Sequence, residues 1–569
     1  MKSLKFFFLL CFWVIFQGCN APESKESTSV SSLLLYNGKI WTGSKAMPKA
    51  SWVYIENDKI KDLGNGDNYP SADKKIDLKG RLTLPGFNDS HVHFAQAGAL
   101  LLGINLLDVN DDELLVERIK KTTQRLPKGS WITRGDWGAY EAWNAGSEGG
   151  DTKKAAWQPH ISLIDDITPE HPVLITKYDR SEGLANSLAL DYLGIEADDG
   201  ILKGEILAEA LKQVPESSFE RKLAEAKRGL AECAKWGVTT VQDMSPLDRV
   251  DIYQYLKDRD SLITRINFSP SRLSEIGNMV AKRWVINWGD NPSPSGDDWI
   301  SFGTLKSHID GIMGGRTARF FEPYNDNSVE KRFWRGGWRE FSQDMPEFKR
   351  LLMEADEEGI QLRVHAIGDE ANSILLDILD TLDAVNGTRD RRFRLVHAQV
   401  IAEKDFARFG GKNIIAEVQP YHVTDDMRWM EERIGHERCR GAYAFKTLED
   451  AGCKLAFGSD WPGTNASYYP INPLYGLYAA VTRQTIGGMP ESGWFPEQRI
   501  ALESAIRAYT KGSAFATFEE DIKGTLAPGM LADLAVLDTD LFETEPSAWL
   551  NANFDYTVVG GKVVYSREE

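Results

Sequence analysis

Short apolar runs rich in β-branched residues recur through the middle of the chain, and most are followed by a segment with helical periodicity. Strands that alternate with helices are typical of an α/β protein with a parallel sheet, and eight such units predict a closed (β/α)8 barrel, or TIM barrel. The reactive groups of such a barrel lie at the C-terminal ends of its strands. The eight runs are residues 81–93, 238–243, 264–268, 303–309, 361–365, 393–397, 414–418 and 454–457.

The two ends of the chain differ from the middle, because they contain short strand-like runs separated by Gly, Asn and Asp turns. Neither end has enough strands to bury a core alone, so we expect residues 33–80 and 523–569 to pair into one small composite β-sandwich. The catalytic barrel then spans residues 81–522. Within it, residues 96–230 separate the first two barrel strands and are predicted to be an insertion that covers the barrel mouth as a lid.

The first residues have the pattern of an export signal. Two lysines precede an apolar run at residues 6–16, which is shorter than the roughly 20 residues needed to span a bilayer. The following FQGC resembles a lipobox, so we predict a signal peptide at residues 1–18, a lipidated Cys19 and a flexible tether at residues 19–32. The protein would be lipid-anchored in the cell envelope, facing the periplasm or the cell surface. The alternative is an ordinary secretory signal with an incidental cysteine.

Composition narrows the possible partners. The formal net charge of −18 argues against nucleic acid, whose phosphates require basic patches. Outside the signal only Cys233, Cys439 and Cys453 remain, too few for a disulfide framework. No second apolar run is long enough to cross a membrane, so membrane contact is expected through the lipid anchor only. We expect a small-molecule substrate, and leave homo-oligomerisation open.

The strongest chemical signal is the motif PGFNDSHVH, which contains His91 and His93. Alternate residues of a strand face the same side, so these two imidazoles can point into one barrel interior. Such a pair alone is equally typical of hydrogen-bonded core histidines. However, His365, His397 and Asp460 each follow or end a separate predicted strand, where a barrel places its active site. Four imidazoles and a carboxylate that converge there predict a divalent metal site, most simply zinc.

Six motifs carry a resemblance that extends from about residue 33 to residue 565. The sequence resembles the amidohydrolase superfamily, and within it amidohydrolase family 3, the YtcJ-like branch that includes N-substituted formamide deformylase. The motifs follow one another in the order found in that family. They are PGFNDSHVH (residues 85–93), VHAIGD (364–369), VHAQ (396–399), VQPYH (418–422), FGSDWP (457–462) and PGMLADL (528–534).

The resemblance implies a role for each candidate ligand. His91 and His93 would hold the more buried metal together with Asp460. His365 and His397 would hold a second metal. One or two divalent ions are therefore expected, with zinc as the first candidate.

Lys306 stands where relatives place a lysine that is carboxylated and bridges two metals. A carbamate offers two anionic oxygens, whereas an ammonium group cannot ligate a cation. The alternative is that Lys306 stays an amine, paired to Asp310 or in contact with the substrate. His308 lies two residues further on the same strand face, and hydrogen bonding to a ligand, substrate contact and substitute ligation all remain open for it.

The candidates for substrate contact follow two other predicted strands. Tyr421 and His422 lie at the end of the seventh strand. Arg316 follows two glycines, and it either binds a substrate anion or belongs to a structural loop. The run DRSE at residues 179–182 lacks a histidine that relatives often have there, which leaves the substrate open.

The expected reaction is hydrolysis of a C–N bond other than a peptide bond, as in an amide, a formamide or a cyclic amide. Asp460 would take a proton from a metal-activated water and deliver it to the leaving nitrogen. Two alternatives remain. An esterase, lactonase or phosphotriesterase would use the same site, and a periplasmic binding lipoprotein would keep the barrel without turnover.

Overall fold

The computed structural model describes residues 32–138, 157–177, 181–270, 295–302, 304–314, 316–325, 345–463 and 471–567. The predicted signal peptide, Cys19 and nearly all of the tether lie outside these ranges. No helix within them is both long and apolar enough to cross a membrane. Cys233, Cys439 and Cys453 are buried and free.

The strands of the described residues form five sheets. In chain order they are β1 (Ser32–Tyr36), β2 (Lys39–Trp41), β3 (Lys49–Ala50), β4 (Trp52–Glu56), β5 (Lys59–Gly64), β6 (Lys74–Asp77), β7 (Leu82–Pro85), β8 (Phe87–Val92), β9 (Ile132–Trp137), β10 (Val173–Lys177), β11 (Glu182–Ala185), β12 (Ile201–Lys203), β13 (Val238–Asp243), β14 (Arg265–Phe268), β15 (Ser295–Gly296), β16 (Ile300–Phe302), β17 (Thr304–His308), β18 (Gln361–Ala366), β19 (Arg394–His397), β20 (Ile415–Val418), β21 (Lys454–Phe457), β22 (Leu534–Leu537), β23 (Phe554–Val559) and β24 (Lys562–Ser566).

Most of the strands in the middle of the chain are followed by helices. The α-helices are α1 (Phe94–Leu102), α2 (Asp112–Arg125), α3 (Ser187–Leu193), α4 (Gly204–Gln213), α5 (Phe219–Lys235), α6 (Val250–Lys257), α7 (Met345–Glu357), α8 (Asp369–Asn386), α9 (His422–Asp426), α10 (Met430–Ile434), α11 (His436–Cys439), α12 (Phe445–Asp450), α13 (Pro473–Thr482), α14 (Leu502–Arg507), α15 (Ser513–Phe515) and α16 (Pro546–Trp549).

Two of the sheets are built from parallel strands. β8, β13, β14 and β16 lie in one sheet with β15 antiparallel at its edge, and β17 to β21 lie in order in the other. Each of the eight predicted runs contains one of these parallel strands. Within the described residues no ladder joins the two sheets into a closed barrel. However, β8 and the segment after β21 meet at a bridge between Val92 and Trp461.

The two faces of a parallel strand have different chemistry, as β18 illustrates. Leu362 and Val364 belong to the largest buried apolar cluster, to which helices α7 and α8 also contribute. Arg363 and His365 alternate with them and are buried on the opposite face. Because strand side chains alternate with a period of two, the apolar positions pack under the helices and the polar positions face the site.

The predicted first run, residues 81–93, is not one strand. β7 and β8 belong to different sheets, and Gly86 separates them. A Cβ atom on Gly86 would lie 2.3 Å from the side chain of Thr239, so the close approach at this joint requires glycine. The apolar pattern did not reveal the change of sheet, although glycine inside a strand pattern is a signal for one.

The start and the end of the chain meet in one sheet of order β24-β23-β22-β7-β2-β3. A second sheet, of order β5-β4-β1-β6, contributes to the same buried cluster, which includes Leu33, Val53, Leu534 and Val558. Arg265 on β14 connects this region to the parallel strands, because its guanidinium contacts both carboxylate oxygens of Asp533 at 2.7 and 3.0 Å.

The segment between the first two parallel strands has a sheet of its own, of order β12-β11-β10-β9. Two apolar clusters pack on it, one containing Ile132 and Val173 and the other Leu174 and Leu202. Consecutive residues of β10 thus point into different clusters, as expected for a strand buried on both faces. The insertion therefore forms its own core.

Candidate metal centre

The candidate ligands lie together around a cavity of about 180 Å³ at the C-terminal ends of the parallel strands. They come from β8, β17, β18, β19 and the loops that follow β8 and β21. Residues far apart in sequence are thereby brought together. All six line the cavity: His91, His93, Lys306, His365, His397 and Asp460.

Asp460 is the residue that connects the group. Its Oδ1 lies 3.3 Å from His91 Nε2 and 3.2 Å from His93 Nε2. One nitrogen of His91, one nitrogen of His397 and one oxygen of Asp460 lie within 4.8 Å of one another. The His397 ring centroid is also 4.5 Å from that of His365. His397 therefore lies between the two sites that the family resemblance implies.

Two of these residues have an unusual backbone conformation. His397 has a φ of 70° and Asp460 a φ of 57°, in the left-handed region that non-glycine residues seldom adopt. Such strain costs about 1–3 kcal/mol and persists only where the surroundings fix the conformation. At Asp460 the amide N–H donates to His91 O at 2.8 Å, and the preceding Ser459 N–H donates to both oxygens of Asp89 at 3.0 and 3.1 Å. The loop is thus held in the shape that aims Asp460 at the histidines.

The protonation states fit a bound metal. Burial lowers the pKa of His91 to about 4 and of His365 to about 3, and that of His397 well below its ordinary value, so these rings are neutral at pH 7. Burial alone would raise the pKa of Asp460, but His91 and His93 outweigh it and hold that pKa well below its usual range. Oδ1 of Asp460 is buried and has no hydrogen-bond partner among the described residues. The neutral rings of His91, His365 and His397, together with an unsatisfied anionic oxygen, form a donor set suited to a divalent metal such as zinc.

A buried ionic cluster lies behind His91. Glu417 accepts from Arg363 Nε at 2.9 Å and from Arg394 Nε at 2.8 Å, and its Oε1 is 2.5 Å from His91 Nδ1. Arg394 also donates to Gln242 Oε1 at 2.5 Å. We call Glu417, Arg363, Arg394 and Gln242 the floor. Because Glu417 holds Nδ1 of His91, Nε2 is the nitrogen that faces Asp460 and the cavity.

The floor was not predicted from the sequence, although the sequence contains a signal for it, namely charged residues within apolar strands. Glu417, Arg363 and Arg394 each interrupt an apolar strand, and all three are fully buried. Charged residues are seldom fully buried unless they are paired. Gln419 was missed as well, although its Oε1 lies 2.7 Å from Nδ1 of His397 and orients that ring in the same way.

Lys306 is buried on β17, and its pKa is lowered to about 7, first by burial and next by the positive charge of Arg363. In the described part of the chain it forms no ion pair with Asp310. Asp310 instead accepts backbone N–H groups from Ile367 and Gly368, at 3.0 and 2.9 Å. Pairing of Lys306 with Asp310, one of the alternatives, is therefore not observed.

The predicted substrate contacts divide into two groups. His308 and His422 line the cavity, and His422 Nε2 is 4.0 Å from Asp460 Oδ2. Tyr421 instead packs beside Tyr475, with ring centroids 6.3 Å apart. Arg316 lies in the turn after Met313, and the cavity lining described here contains neither Tyr421 nor Arg316.

The cavity also has a polar side, which we call the wall: Asp310, Gln399, His422 and Asp426. Of these four, only His422 was predicted from the sequence to contact the substrate. Burial raises the pKa of both Asp310 and Asp426 to about 7. The two acidic residues were detectable only as polar residues near predicted strand ends, a weak signal. The wall therefore presents polar groups to any molecule that enters the cavity.

Comparisons with known proteins agree with this architecture. The model of the amidohydrolase family matches residues 74–565. Protein LONG AFTER FAR-RED 3 of Arabidopsis thaliana is 32% identical, over 94% of this chain and 92% of its own. The putative amidohydrolase YtcJ of Bacillus subtilis is 28% identical, over 94% and 99%. The N-substituted formamide deformylase of Arthrobacter pascens is 24% identical, over 95% and 99%.

A solved structure is similar over most of its length. The uncharacterized metal-dependent hydrolase of Pyrococcus horikoshii superposes with a TM-score of 0.71 at 24% identity, covering 91% of this chain and 99% of that one. Family and fold together imply the TIM-barrel type of α/β architecture, in agreement with the two parallel sheets. The chain belongs to the amidohydrolase family.

Proposed function

We propose that the protein hydrolyses a C–N bond other than a peptide bond, in an amide, a formamide or a cyclic amide. The observation that carries the proposal is the environment of Asp460. One of its oxygens lies between the imidazoles of His91 and His93, and the other faces His422 at 4.0 Å. A relative that cleaves formamides, similar over 95% of this chain, supports the bond class.

The proposed cofactor is one or two zinc ions, held by the four histidines, Asp460 and a carboxylated Lys306. A bound zinc polarises a carbonyl group and lowers the pKa of water from about 15.7 towards 7. Neutral imidazoles and an ionised carboxylate are the protonation states that ligation requires. The lowered pKa values of His91, His365 and Asp460 support this requirement for three of the proposed ligands.

The chain's own residues then move the proton. Asp460 is ionised at neutral pH, so it accepts a proton from the attacking water and delivers it to the leaving nitrogen. Asp89 keeps the Asp460 loop in place, through its bonds to Ser459 N–H. Burial lowers the pKa of His422, and this neutral ring would donate from Nε2 to the oxyanion.

We also propose how the parts are arranged. The bridge between Val92 and Trp461 supports closure of the barrel between β8 and β21. The shared apolar cluster supports a β-sandwich made by the two terminal sheets. The insertion, residues 96–230, would cover the barrel mouth as a lid.

The test is turnover by zinc-loaded protein on amides, formamides and esters of matched size. A general base contributes about 10²–10⁴-fold, so Asp460→Asn should lower turnover by about that factor while most metal is retained. Asp450→Asn, at an exposed residue that ends helix α12, is the matched control and should leave turnover unchanged. Near-normal turnover in metal-loaded Asp460→Asn would refute the mechanism. Faster ester than amide cleavage would favour the esterase alternative, and no turnover at all would favour a binding protein.

The export signal leads to a separate proposal, that Cys19 carries lipid and anchors the protein in the cell envelope. Its support is the apolar run that ends before Gly18 and Cys19. Cys19→Ala should release the protein from the membrane fraction, whereas Cys11→Ala in the same leader should not. A Cys19→Ala protein that stayed just as membrane-bound after signal cleavage would contradict the lipid anchor.

A further inference from the structure

One side of the cavity is formed by the short helix α9. Its first and last residues, His422 and Asp426, both line the cavity. Residues four apart lie on the same face of a helix, about 5–6 Å from each other. Since His422 Nε2 is 4.0 Å from Asp460 Oδ2, Asp426 lies about one helical turn beyond the reaction centre.

The two oxygens of Asp426 have different surroundings. Oδ2 accepts from Gln399 Nε2 at 2.6 Å and from the Tyr443 hydroxyl. Oδ1 is buried and has no hydrogen-bond partner in the described part of the chain, and Asp426 forms no ion pair there. A buried carboxylate oxygen without a partner is costly, unless a ligand supplies the missing donor.

The positively charged side chains near Asp426 form contacts with other groups. Arg428 pairs with Asp425, the neighbour of Asp426. Arg433 donates to the carbonyl oxygens of Met313 and Gly314, and it stacks on Trp429 with 4.9 Å between guanidinium and ring centroid. Burial raises the pKa of Asp426 to about 7, as expected for a carboxylate that lacks a direct counter-charge.

We propose that Asp426 binds a protonated amine of the substrate, so that the substrates are amides with a cationic nitrogen that reaches the side of the cavity formed by α9. The inference rests on the proposed function and names its substrate class. Gln399 and Tyr443 hold Oδ2, so Oδ1 is the atom that accepts the ammonium hydrogen. The indole of Trp429, three residues after Asp426, also lines the cavity. The net charge of −18 also favours the approach of cations.

The test compares three acetamides of the same length on zinc-loaded protein at pH 8, where Asp426 is mostly ionised: N-(3-aminopropyl)acetamide, N-(3-hydroxypropyl)acetamide and N-butylacetamide. A charge-assisted hydrogen bond should raise kcat/KM for the amine about 10- to 100-fold over the butyl compound. Asp426→Asn should abolish this preference. Asp425→Asn, a buried neighbour outside the cavity lining, should keep it.

A binding measurement separates this inference from the proposed function. Butylammonium, titrated calorimetrically into zinc-loaded protein, should bind at least about 10-fold more tightly to the wild type and Asp425→Asn than to Asp426→Asn. Binding of this kind without amide hydrolysis would refute the proposed function alone. Equal kcat/KM for the three acetamides, or an amine preference that survives in Asp426→Asn, would overturn the inference.

Discussion

The floor and the wall of the cavity differ in whether a buried carboxylate is paired with a cation. In the floor, Glu417 contacts Arg363, Arg394 and His91, and the two arginines outweigh burial and hold its pKa well below the usual range. In the wall, Asp310 and Asp426 have no comparable cation among the residues that the structure describes, and burial raises their pKa to about 7. Both regions are buried, so burial alone does not distinguish them.

The difference identifies which groups are structural and which are available to a ligand. Both carboxylate oxygens of Glu417 already contact His91 or the two arginines. Glu417 therefore orients His91 and has no oxygen available to bind a substrate. Oδ1 of Asp426 and Nε2 of His422 are buried without hydrogen-bond partners among the described residues. Unsatisfied polar atoms beside a cavity are therefore a better guide to substrate contact than polarity or burial alone.

The largest effect is expected from Glu417→Gln. This change leaves two buried guanidinium groups without their counter-charge, so the free energy of unfolding should fall by about 3–5 kcal/mol. Chemical denaturation of the metal-free protein measures it. The control is Glu117→Gln, which breaks an exposed pair with Lys121 and should cost about 0–1 kcal/mol. Similar small losses in both variants would mean that the floor is not a structural unit.

A second effect concerns Lys306, whose pKa the floor helps to lower. Lys306→Ala should weaken binding of the second ion by at least about 100-fold, since even indirect support of a ligand is worth 10–100-fold. Lys454→Ala, with an exposed side chain, is the control. Metal analysis after dialysis measures both, and two ions retained in Lys306→Ala would contradict the bridging role and favour His308.

The same lysine predicts a pH dependence. Its pKa is lowered from 10.5 to about 7, so the neutral amine that reacts with carbon dioxide dominates only above pH 7. Uptake of the second ion in bicarbonate should therefore increase between pH 6 and pH 8. Uptake that is independent of bicarbonate at pH 8 would contradict carboxylation.

The last prediction concerns the pH dependence of stability at Asp426. Its folded-state pKa, about 7, lies above the ordinary 3.8, so the folded protein binds more protons than the unfolded chain between these values and loses stability as pH rises from about 4 to 7. Asp426→Asn removes this loss. The stability of the variant relative to wild type, measured by urea unfolding, should thus increase between pH 4 and pH 8. If the difference in stability between variant and wild type did not change with pH, the charge of Asp426 would be paired with a cation, as that of Glu417 is.

The sequence predicted the family and the location of the site, for identifiable reasons. The family prediction is confirmed by the match over residues 74–565. His365 and His397 lie at the C-terminal ends of their strands, and the C-terminal ends of parallel strands meet at one edge of a sheet. The positions of these residues in the sequence were therefore enough to predict that they line one cavity. The assignment of each residue as a metal ligand stays a prediction, as do the lid and the lipid anchor.

The floor could not be derived from one sequence, because it depends on strand register. Arg363 and Arg394 are directly paired on β18 and β19, which places two positive charges side by side. Glu417 lies opposite Val396 on the next strand, close enough to contact both arginines. Apolar periodicity indicates that strands exist, but it does not specify which residues become neighbours.

The position of β7 has a consequence for the order in which the molecule is made. β7 pairs with β2 from the beginning of the chain and with β22 from its end, and Gly86 joins it to the strand that carries His91. Translation releases β7 hundreds of residues before β22, so a nascent chain holds the first histidines while one neighbour of β7 does not yet exist. Contacts between residues so distant in sequence form late. If the site binds metal as proposed, stable loading is expected only after β22 has been synthesised. A chain that stops before β22 would lack one of the two strands that pair with β7.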